Sequence, residues 1–434
     1  MNREALVQWN PWWSQKHSFN LIDRDIKKEL LGWLGRREII GIIGARRSGK
    51  TSLMFLIIEH LLKKTNPKNI LFIKCDDDRV EKEGLVSKSV ERYYDMVSPK
   101  GNIYIFIDEI QEVPGWENTL KRMYDIEKGM KFFISGSNFS VLKEDMTQKM
   151  AGRLAYFEIY PFSFKEIVTR EINTSDKLQA LSKKKEIRHM LFRYMEFGGF
   201  PEVVLENDKT KKGQILQFYY DTIVYRDIIK RRGIRNTAKL DKMINYFLQN
   251  ISNPASFSKT GKRVFLSTDS VVEYMKHLQD AFFLFSVSMF SFSVKKQEIN
   301  PKKVYCIDNG LRNIKGFRFS EDYGRLAENT VFLELLRRNS SNPLFKVYYW
   351  RNNKHEVDFV TKDGLKVKEL IQVCWDIESR KTKQREVCGL LEAMKELKLR
   401  KATIVTESKD GGETVSGKRI DYVPLWKWLL GGMM

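Results

Sequence analysis

The octapeptide GARRSGKT at residues 44–51 constrains the fold of this chain more than any other feature. It matches the pattern GxxxxGK[ST], in which glycines let successive backbone N–H groups point at phosphate oxygens. The apolar run 38–43 before it indicates a strand, and the apolar run 52–62 after it indicates a helix. Because the N-terminus of a helix attracts anions, this strand, loop and helix predict a phosphate-binding site.

Residues of this loop have distinct roles toward a bound nucleotide. The Lys50 ammonium supplies a positive charge for the β and γ phosphates of ATP, and the Thr51 hydroxyl is expected to bind Mg²⁺. We therefore predict ATP and Mg²⁺ as the ligands. The predicted nucleotide contacts in the loop are Gly44, Arg46, Arg47, Ser48, Gly49, Lys50, Thr51 and Ser52.

A second apolar run, residues 103–107, ends in Asp108 and Glu109. This is a Walker B pattern, in which a buried strand delivers two acids to the phosphate site. Asp108 is expected to hold Mg²⁺ through its water shell. Glu109 is expected to orient or deprotonate the water that attacks the γ phosphate, so Glu109 and Lys50 are predicted catalytic residues.

Two more catalytic candidates flank the next predicted strands. The run 130–136 ends in small polar residues, and we predict that Ser137, with Asn138 as the alternative, hydrogen-bonds the γ phosphate or the water. Arg153 precedes a fifth strand and is predicted to stabilise transition-state charge, either in its own chain or in a neighbouring subunit. An ordinary surface arginine is an equally open interpretation.

Charge indicates the class of partner. The chain has 434 residues and a formal net charge of +21, which favours a polyanion such as nucleic acid or an acidic membrane surface. Between residues 209 and 263 it carries thirteen Lys or Arg residues and three acids, so this basic segment is a predicted DNA-binding face, with a solvated helical surface as the alternative. With no signal-type N-terminus and no run of about 18 apolar residues, we expect a cytoplasmic chain without a membrane partner.

Segments 256–260 and 267–278 have the spacing of a winged-helix motif. The second segment would be the recognition helix, and segments 282–293 and 302–308 would pair as the wing. In a major groove, Ser270, Glu273, Lys276 and His277 would point outward. A packing module or a protein-binding module is the alternative.

The last third of the sequence resembles the restriction-endonuclease-like fold. Glu328 and Asp358 suit the helical acid and the strand Asp of an active member, which bind Mg²⁺. Gln372 and Cys374 stand where a Glu-x-Lys triplet would be, and neither supplies the required charge. We expect a catalytically degenerate domain that binds nucleic acid or protein, with an active nuclease as the alternative.

Together, the phosphate loop, the Asp108–Glu109 pair, residues 135–137 and residues 152–153 resemble prokaryotic and archaeal AAA+ ATPases fused to a C-terminal region. The resemblance continues to residue 359 and so covers nearly the whole chain. It implies an α/β fold with a five-stranded parallel sheet that binds ATP. The predicted domains are an ATPase domain with a helical lid at 1–205, a winged-helix domain at 206–320 and the endonuclease-like domain at 321–434.

The leading functional hypothesis is an ATP-hydrolysing switch or motor that acts on DNA, with a homo-oligomer expected if Arg153 or Arg226 acts across an interface. The alternatives are a STAND-like signalling switch with a protein partner and an ATP-gated nuclease. DNA-stimulated hydrolysis with a steep salt dependence distinguishes the first from the second.

Overall fold

The computed structural model describes residues 3–137, 150, 152–174, 176–316 and 322–431. The chain divides into two compact units, Met1–Tyr160 and Pro161–Met434. Asn138, the alternative to Ser137, lies outside the described residues.

A five-stranded parallel sheet forms the core of the first unit, in the order β2-β3-β4-β1-β5. Its strands are β1 (Ile39–Gly44), β2 (Ile70–Lys74), β3 (Ile103–Asp108), β4 (Met130–Gly136) and β5 (Leu154–Ile159). The helices of this unit are α1 (Arg3–Trp9), α2 (Asp25–Gly32), α3 (Lys50–Leu62), α4 (Leu85–Val97) and α5 (Trp116–Ile126). All six residues of β1 are buried, as expected for a strand that lies between two others in a parallel sheet. The predicted parallel sheet is confirmed, and its carboxyl edge holds the candidate site.

Short helices open the second unit. They are α6 (Phe164–Glu171), α7 (Lys177–Ser182), α8 (Lys184–Phe197), α9 (Pro201–Leu205) and α10 (Lys209–Asp221), followed by a π-helix (Thr222–Lys230). A capping box of Ser163 and Glu166 begins α6. Phe164 and Leu191 pack into the same buried cluster as Phe332 and Trp426. The segment predicted as a lid therefore belongs to the second unit, and the chain divides at residue 160 rather than at 205.

A three-stranded antiparallel sheet follows, in the order β6-β8-β7. Its elements are α11 (Thr237–Gln249), β6 (Pro254–Ala255), α12 (Phe257–Val264), α13 (Thr268–Asp280), β7 (Leu284–Val287), α14 (Val294–Ile299) and β8 (Lys302–Cys306). The predicted pairing of the two wing segments is confirmed. Glu273 and Lys276 are exposed on α13 as expected, whereas His277 is half-buried and Ser270 is held by Ser267 at the start of the helix. The outward orientation predicted for His277 is wrong, because its side chain is only 15% exposed and flanks the face that α13 buries. The orientation of Ser270 stays a prediction.

A six-stranded mixed sheet completes the second unit, in the order β13-β14-β12-β11-β10-β9. Its elements are α15 (Asn309–Lys315), α16 (Tyr323–Ser341), β9 (Phe345–Arg351), β10 (Glu356–Asp363), β11 (Lys366–Val373), α17 (Arg380–Glu396), β12 (Lys401–Thr406), β13 (Gly411–Val415), β14 (Lys418–Pro424) and α18 (Leu425–Leu429). Strands β9, β10 and β11 are antiparallel neighbours, and β11, β12 and β14 run parallel. Phe359 and Val360 enter different hydrophobic clusters, as alternate strand residues do when both faces of a sheet are covered.

Candidate nucleotide-binding site

The phosphate loop joins the end of β1 to the start of α3, and two of its glycines are required by its shape. Gly49 has a φ of +97°, in the left-handed region that side chains disfavour. A Cβ on Gly44 would lie 2.1 Å from the Ile159 carbonyl oxygen on β5. Both glycines therefore let the backbone curve tightly beside the neighbouring strand.

Lys50 is the buried cation of this loop, with 4% of its surface exposed. Its Nζ donates to the Gly44 and Ala45 carbonyl oxygens at 3.2 and 3.1 Å, and lies 4.0 Å from Glu109 Oε1. The loop's own carbonyl groups thus hold the ammonium at the carboxyl end of β1. This placement brings Lys50 and Glu109 together, as the sequence predicts.

The two predicted magnesium ligands are in direct contact. Thr51 Oγ1 donates to Asp108 Oδ2 at 2.8 Å. A hydroxyl and a carboxylate are oxygen ligands of the type that Mg²⁺ prefers. The buried Ser48 hydroxyl makes no hydrogen bond to any described residue, so the loop also offers an unused polar group to a ligand. These side chains fit a magnesium nucleotide.

The adjacent acids Asp108 and Glu109 have pKa values that are shifted in opposite directions. Burial raises the pKa of Asp108. Burial alone would also raise the pKa of Glu109, but Lys50, with help from Gln111 and Arg46, lowers it overall. Glu109 is therefore the acid that remains ionised most readily, which is the state that a general base requires.

Ser135 positions this acidic pair, and the sequence interpretation missed it. Its hydroxyl donates to Asp108 Oδ1 and accepts the Glu109 N–H at 2.9 Å. Glu109 has a φ of +52°, a left-handed conformation that is uncommon outside glycine and that the surrounding contacts must stabilise. The signal for Ser135 was its place among the small polar residues at the end of β4.

Ser137 lies just beyond the same strand and is buried. Its hydroxyl makes no hydrogen bond to the part of the chain that the structure describes, although it lies near enough to Glu109 to lower the pKa of that carboxyl. A buried hydroxyl beside Glu109 suits the predicted contact with a phosphate or a water, which stays a prediction.

Arg24 is a second residue that sequence reasoning missed. Its buried guanidinium donates to the Ser48 carbonyl oxygen at 2.9 Å and to the Tyr160 carbonyl oxygen at 2.7 Å. It therefore ties the phosphate loop to the end of β5. Because Arg24 lies outside every recognised motif, no local sequence signal identified it.

Arg153 lies at the amino ends of the strands, whereas the phosphate loop lies at their carboxyl ends. Its carbonyl oxygen accepts the Ile39 N–H at 2.8 Å, which places it at the amino ends of β1 and β5. The length of β1, about 16 Å at 3.3 Å per residue, separates these ends from the loop. Its guanidinium pairs with Asp125 at 2.9 Å. Action of Arg153 in its own chain is therefore wrong, and action in a neighbouring subunit stays a prediction.

Comparisons with known proteins agree with this geometry. A family profile described as an AAA domain matches residues 36–168, and two profiles described as domains of unknown function match residues 188–319 and 323–428. An uncharacterized protein of Methanocaldococcus jannaschii is 32% identical over 425 residues, which cover 94% of this chain and 91% of that protein. The chain belongs to the family of that protein. It is an AAA-domain protein, and an AAA domain implies nucleotide binding with a divalent metal.

Other comparisons of this AAA-domain protein match it at lower sequence identity. An uncharacterized protein of Haemophilus influenzae is 28% identical over 350 residues, which cover 77% of this chain and 82% of that protein. The solved structure of a single-substitution variant of Thermotoga maritima RuvB has 15% identity and a TM-score of 0.31, covering 63% of this chain and 93% of that one. The Saccharomyces cerevisiae Hsp104–ADP complex has 16% identity and a TM-score of 0.32, and the match covers 60% of this chain and 39% of that chain. None of the described helices is long and apolar enough to span a membrane.

Proposed function

We propose that this AAA-domain protein hydrolyses ATP with Mg²⁺ and acts as a switch or motor on DNA. One observation carries the ATPase proposal: Thr51 contacts Asp108 at 2.8 Å while the next residue, Glu109, lies beside the Lys50 ammonium. A phosphate-binding cation, a metal-binding pair and an ionised carboxylate thus meet at one edge of the sheet. These are the parts that phosphoryl transfer to water requires.

Each residue has a separate task in this proposal. Lys50 and the loop N–H groups bind phosphate oxygens, and Thr51 and Asp108 hold Mg²⁺, which supplies positive charge for the phosphates. Glu109 orients the attacking water and accepts its proton. The Ser137 hydroxyl hydrogen-bonds the γ phosphate or that water. Ser135 fixes the direction of both acids through its two hydrogen bonds.

Surface charge in the second unit supports DNA as the partner. Nine of the thirteen Lys and Arg residues between 209 and 263 are exposed, whereas none of the three acids in that segment is. Lys212 is an exception, because it is buried and donates to the Val203 carbonyl oxygen. Arg232 pairs with Asp280 at 3.1 Å. The exposed basic residues that can contact phosphates are Lys209, Lys211, Arg226, Lys230, Arg235, Lys242, Lys259, Lys262 and Arg263.

A protein partner is the second candidate, because the exposed face of α13 carries Asp269 and Glu273 against the single cation Lys276. Two carboxylates on a helix in a major groove would lie near phosphates and be repelled. If the helices and the three-stranded sheet of residues 237–306 form a winged helix, the exposed face of α13 suits a protein surface better than DNA. A STAND-like switch would use it in that way, with the basic segment left as a solvated surface.

The deciding experiment measures ATP hydrolysis by the purified chain with duplex, single-stranded and branched DNA at low and moderate salt. Lys50→Ala is the blank. Glu109→Gln should bind ATP normally but lose turnover by about 10²–10⁴-fold, the usual contribution of a general base. Unchanged turnover in Glu109→Gln would refute its role.

The response to DNA distinguishes the two candidates. Stimulation by one DNA form, lost steeply as salt rises, supports the DNA-directed ATPase. Slow turnover that no DNA form changes supports the protein-binding switch instead.

A further inference from the structure

A buried lysine of the second unit contacts three carboxylates. Lys303, on β8, exposes only 1% of its side chain. Its Nζ lies 3.0 Å from Glu328 Oε1 on α16, and 2.8 Å from both Glu356 Oε1 and Asp358 Oδ1 on β10. A lysine ammonium has three N–H donors, so these three carboxylate oxygens match its full hydrogen-bonding capacity.

Other donors and acceptors of this lysine–carboxylate cluster are also engaged. Tyr305 Oη donates to Glu328 Oε1 at 2.7 Å, and the Val373 N–H donates to Asp358 Oδ2 at 2.9 Å. Gln372 Oε1 accepts the Asp358 N–H at 3.1 Å. The side chains that the sequence offers as magnesium ligands therefore bind an ammonium and backbone groups instead.

Electrostatics explains why a cation is required here. Three carboxylates around one site repel one another, and burying a charge without a counter-ion costs several kcal/mol, as an order of magnitude. The side chains of Asp358, Glu328 and Glu356 are 8%, 12% and 29% exposed. Burial alone would lower the pKa of Lys303, but Asp358, Glu328 and Glu356 together raise it well above its usual value. The ammonium therefore stays charged. Across the described ranges, no group of three or more His, Cys, Asp or Glu side chains is arranged to hold a metal ion.

We propose that the Lys303 ammonium replaces the divalent cation of a restriction-endonuclease-like site, so that Glu328, Glu356 and Asp358 neither bind a metal nor support DNA cleavage while Lys303 is present. The replacement comes from a different sequence region. Lys303 lies in the region of residues 188–319, whereas the three acids lie in the region of residues 323–428. The last domain then has a binding or structural role, and β8 completes its core.

The test counts Mn²⁺ ions bound by the nucleotide-free full chain, from the electron paramagnetic resonance signal of free Mn²⁺ during a titration. Every protein in the series carries Asp108→Asn, which removes the carboxylate of the phosphate-loop site. The chain with Lys303 should bind no Mn²⁺ at the cluster. Lys303→Met, an uncharged side chain of similar length, should gain one Mn²⁺ per chain, and adding Asp358→Asn should abolish that gain.

Each outcome decides for or against the proposal. Two results with the chain that retains Lys303 would overturn the proposal. One is Mn²⁺ binding that Asp358→Asn removes, and the other is Mn²⁺-dependent cleavage of supercoiled DNA that Asp358→Asn removes. If Lys303→Met unfolds, recovery of its circular dichroism on Mn²⁺ addition supports the proposal. A Lys303→Met chain that Mn²⁺ neither binds nor refolds overturns it. The ion count uses neither ATP hydrolysis nor DNA binding, so it stands apart from the proposed ATPase.

Discussion

Ser135 gives a quantitative test of how the two acids at the end of β3 are held. It is fully buried, donates to Asp108 Oδ1 and accepts the Glu109 N–H at 2.9 Å. Ser135→Ala removes both hydrogen bonds without adding volume. A buried polar group left without a partner costs about 1–3 kcal/mol, and with two groups affected we expect local opening of β3 and β4 to become roughly 2–3 kcal/mol easier.

Hydrogen exchange of peptides from β3 and β4, measured by mass spectrometry on the nucleotide-free chain, reports this opening. Because each 1.4 kcal/mol corresponds to a factor of ten, amide protection should fall roughly 30- to 150-fold. Ser137→Ala is the matched control. Its hydroxyl is also buried but makes no hydrogen bond to the described residues, so its removal should change protection less than about threefold.

ATP hydrolysis tests the predicted role of Ser137. Ser137→Ala removes a hydroxyl that is available to the phosphate or the water, and loss of one such donor lowers kcat by about 10²-fold or more. Wild-type protection in Ser135→Ala would refute its role in holding the acids. Wild-type turnover in Ser137→Ala would refute the predicted contact with the phosphate or the water.

Three other expectations follow from contacts in the two units. Arg24→Gln should weaken ATP affinity roughly 10-fold or more, because hydrogen bonds from a charged group contribute about 1.5–3 kcal/mol; equal affinity by calorimetry would contradict its role in holding the loop. Gly198→Ala should destabilise the second unit by about 2–5 kcal/mol in chemical denaturation, because Gly198 has a φ of +78° and a Cβ there would lie 1.9 Å from an Asp308 oxygen. Its control, Gly213→Ala, lies in open space on α10 and should stabilise the unit by about 0.5–1 kcal/mol. Replacing Lys259, Lys262 and Arg263 by Gln should reduce the slope of log affinity for DNA against log salt concentration by about 0.9 per lost phosphate contact. The same replacement at Lys395, Lys398 and Arg400 is the control and should leave that slope unchanged. Equal slopes in both triple variants would show that the basic segment does not contact DNA.

The sequence predicted the nucleotide site well because its chemistry is local. Gly44 to Thr51 lie within eight residues, and the strand before Asp108 is apolar throughout, so periodicity and motif spacing were sufficient. The parallel sheet then brings the carboxyl ends of its strands to one edge, which explains why Lys50 and Glu109 meet. Arg153 was misplaced because its motif shows which strand follows it but not at which end of the sheet it lies.

Contacts between distant segments could not be predicted in this way. Arg24 reaches Tyr160 across 136 positions, and Lys303 reaches Asp358 across 55. A single sequence shows neither pairing, because both depend on how separate elements pack. The lid assignment was affected in the same way, since Phe164 and Leu191 are apolar residues whose partners on α16 and α18 lie more than a hundred residues away.

The position of β8 has a consequence for how this protein was assembled in evolution. Tyr305 on β8 stacks on Phe332 at 4.3 Å and lies 5.6 Å from Phe359, beside the Lys303 contacts. A gene fragment encoding only residues 323–428 would lack this aromatic partner and the buried ammonium that contacts Glu328, Glu356 and Asp358. We therefore expect residues 188–319 and residues 323–428 to be inherited and recombined as a pair, whatever AAA domain they are joined to.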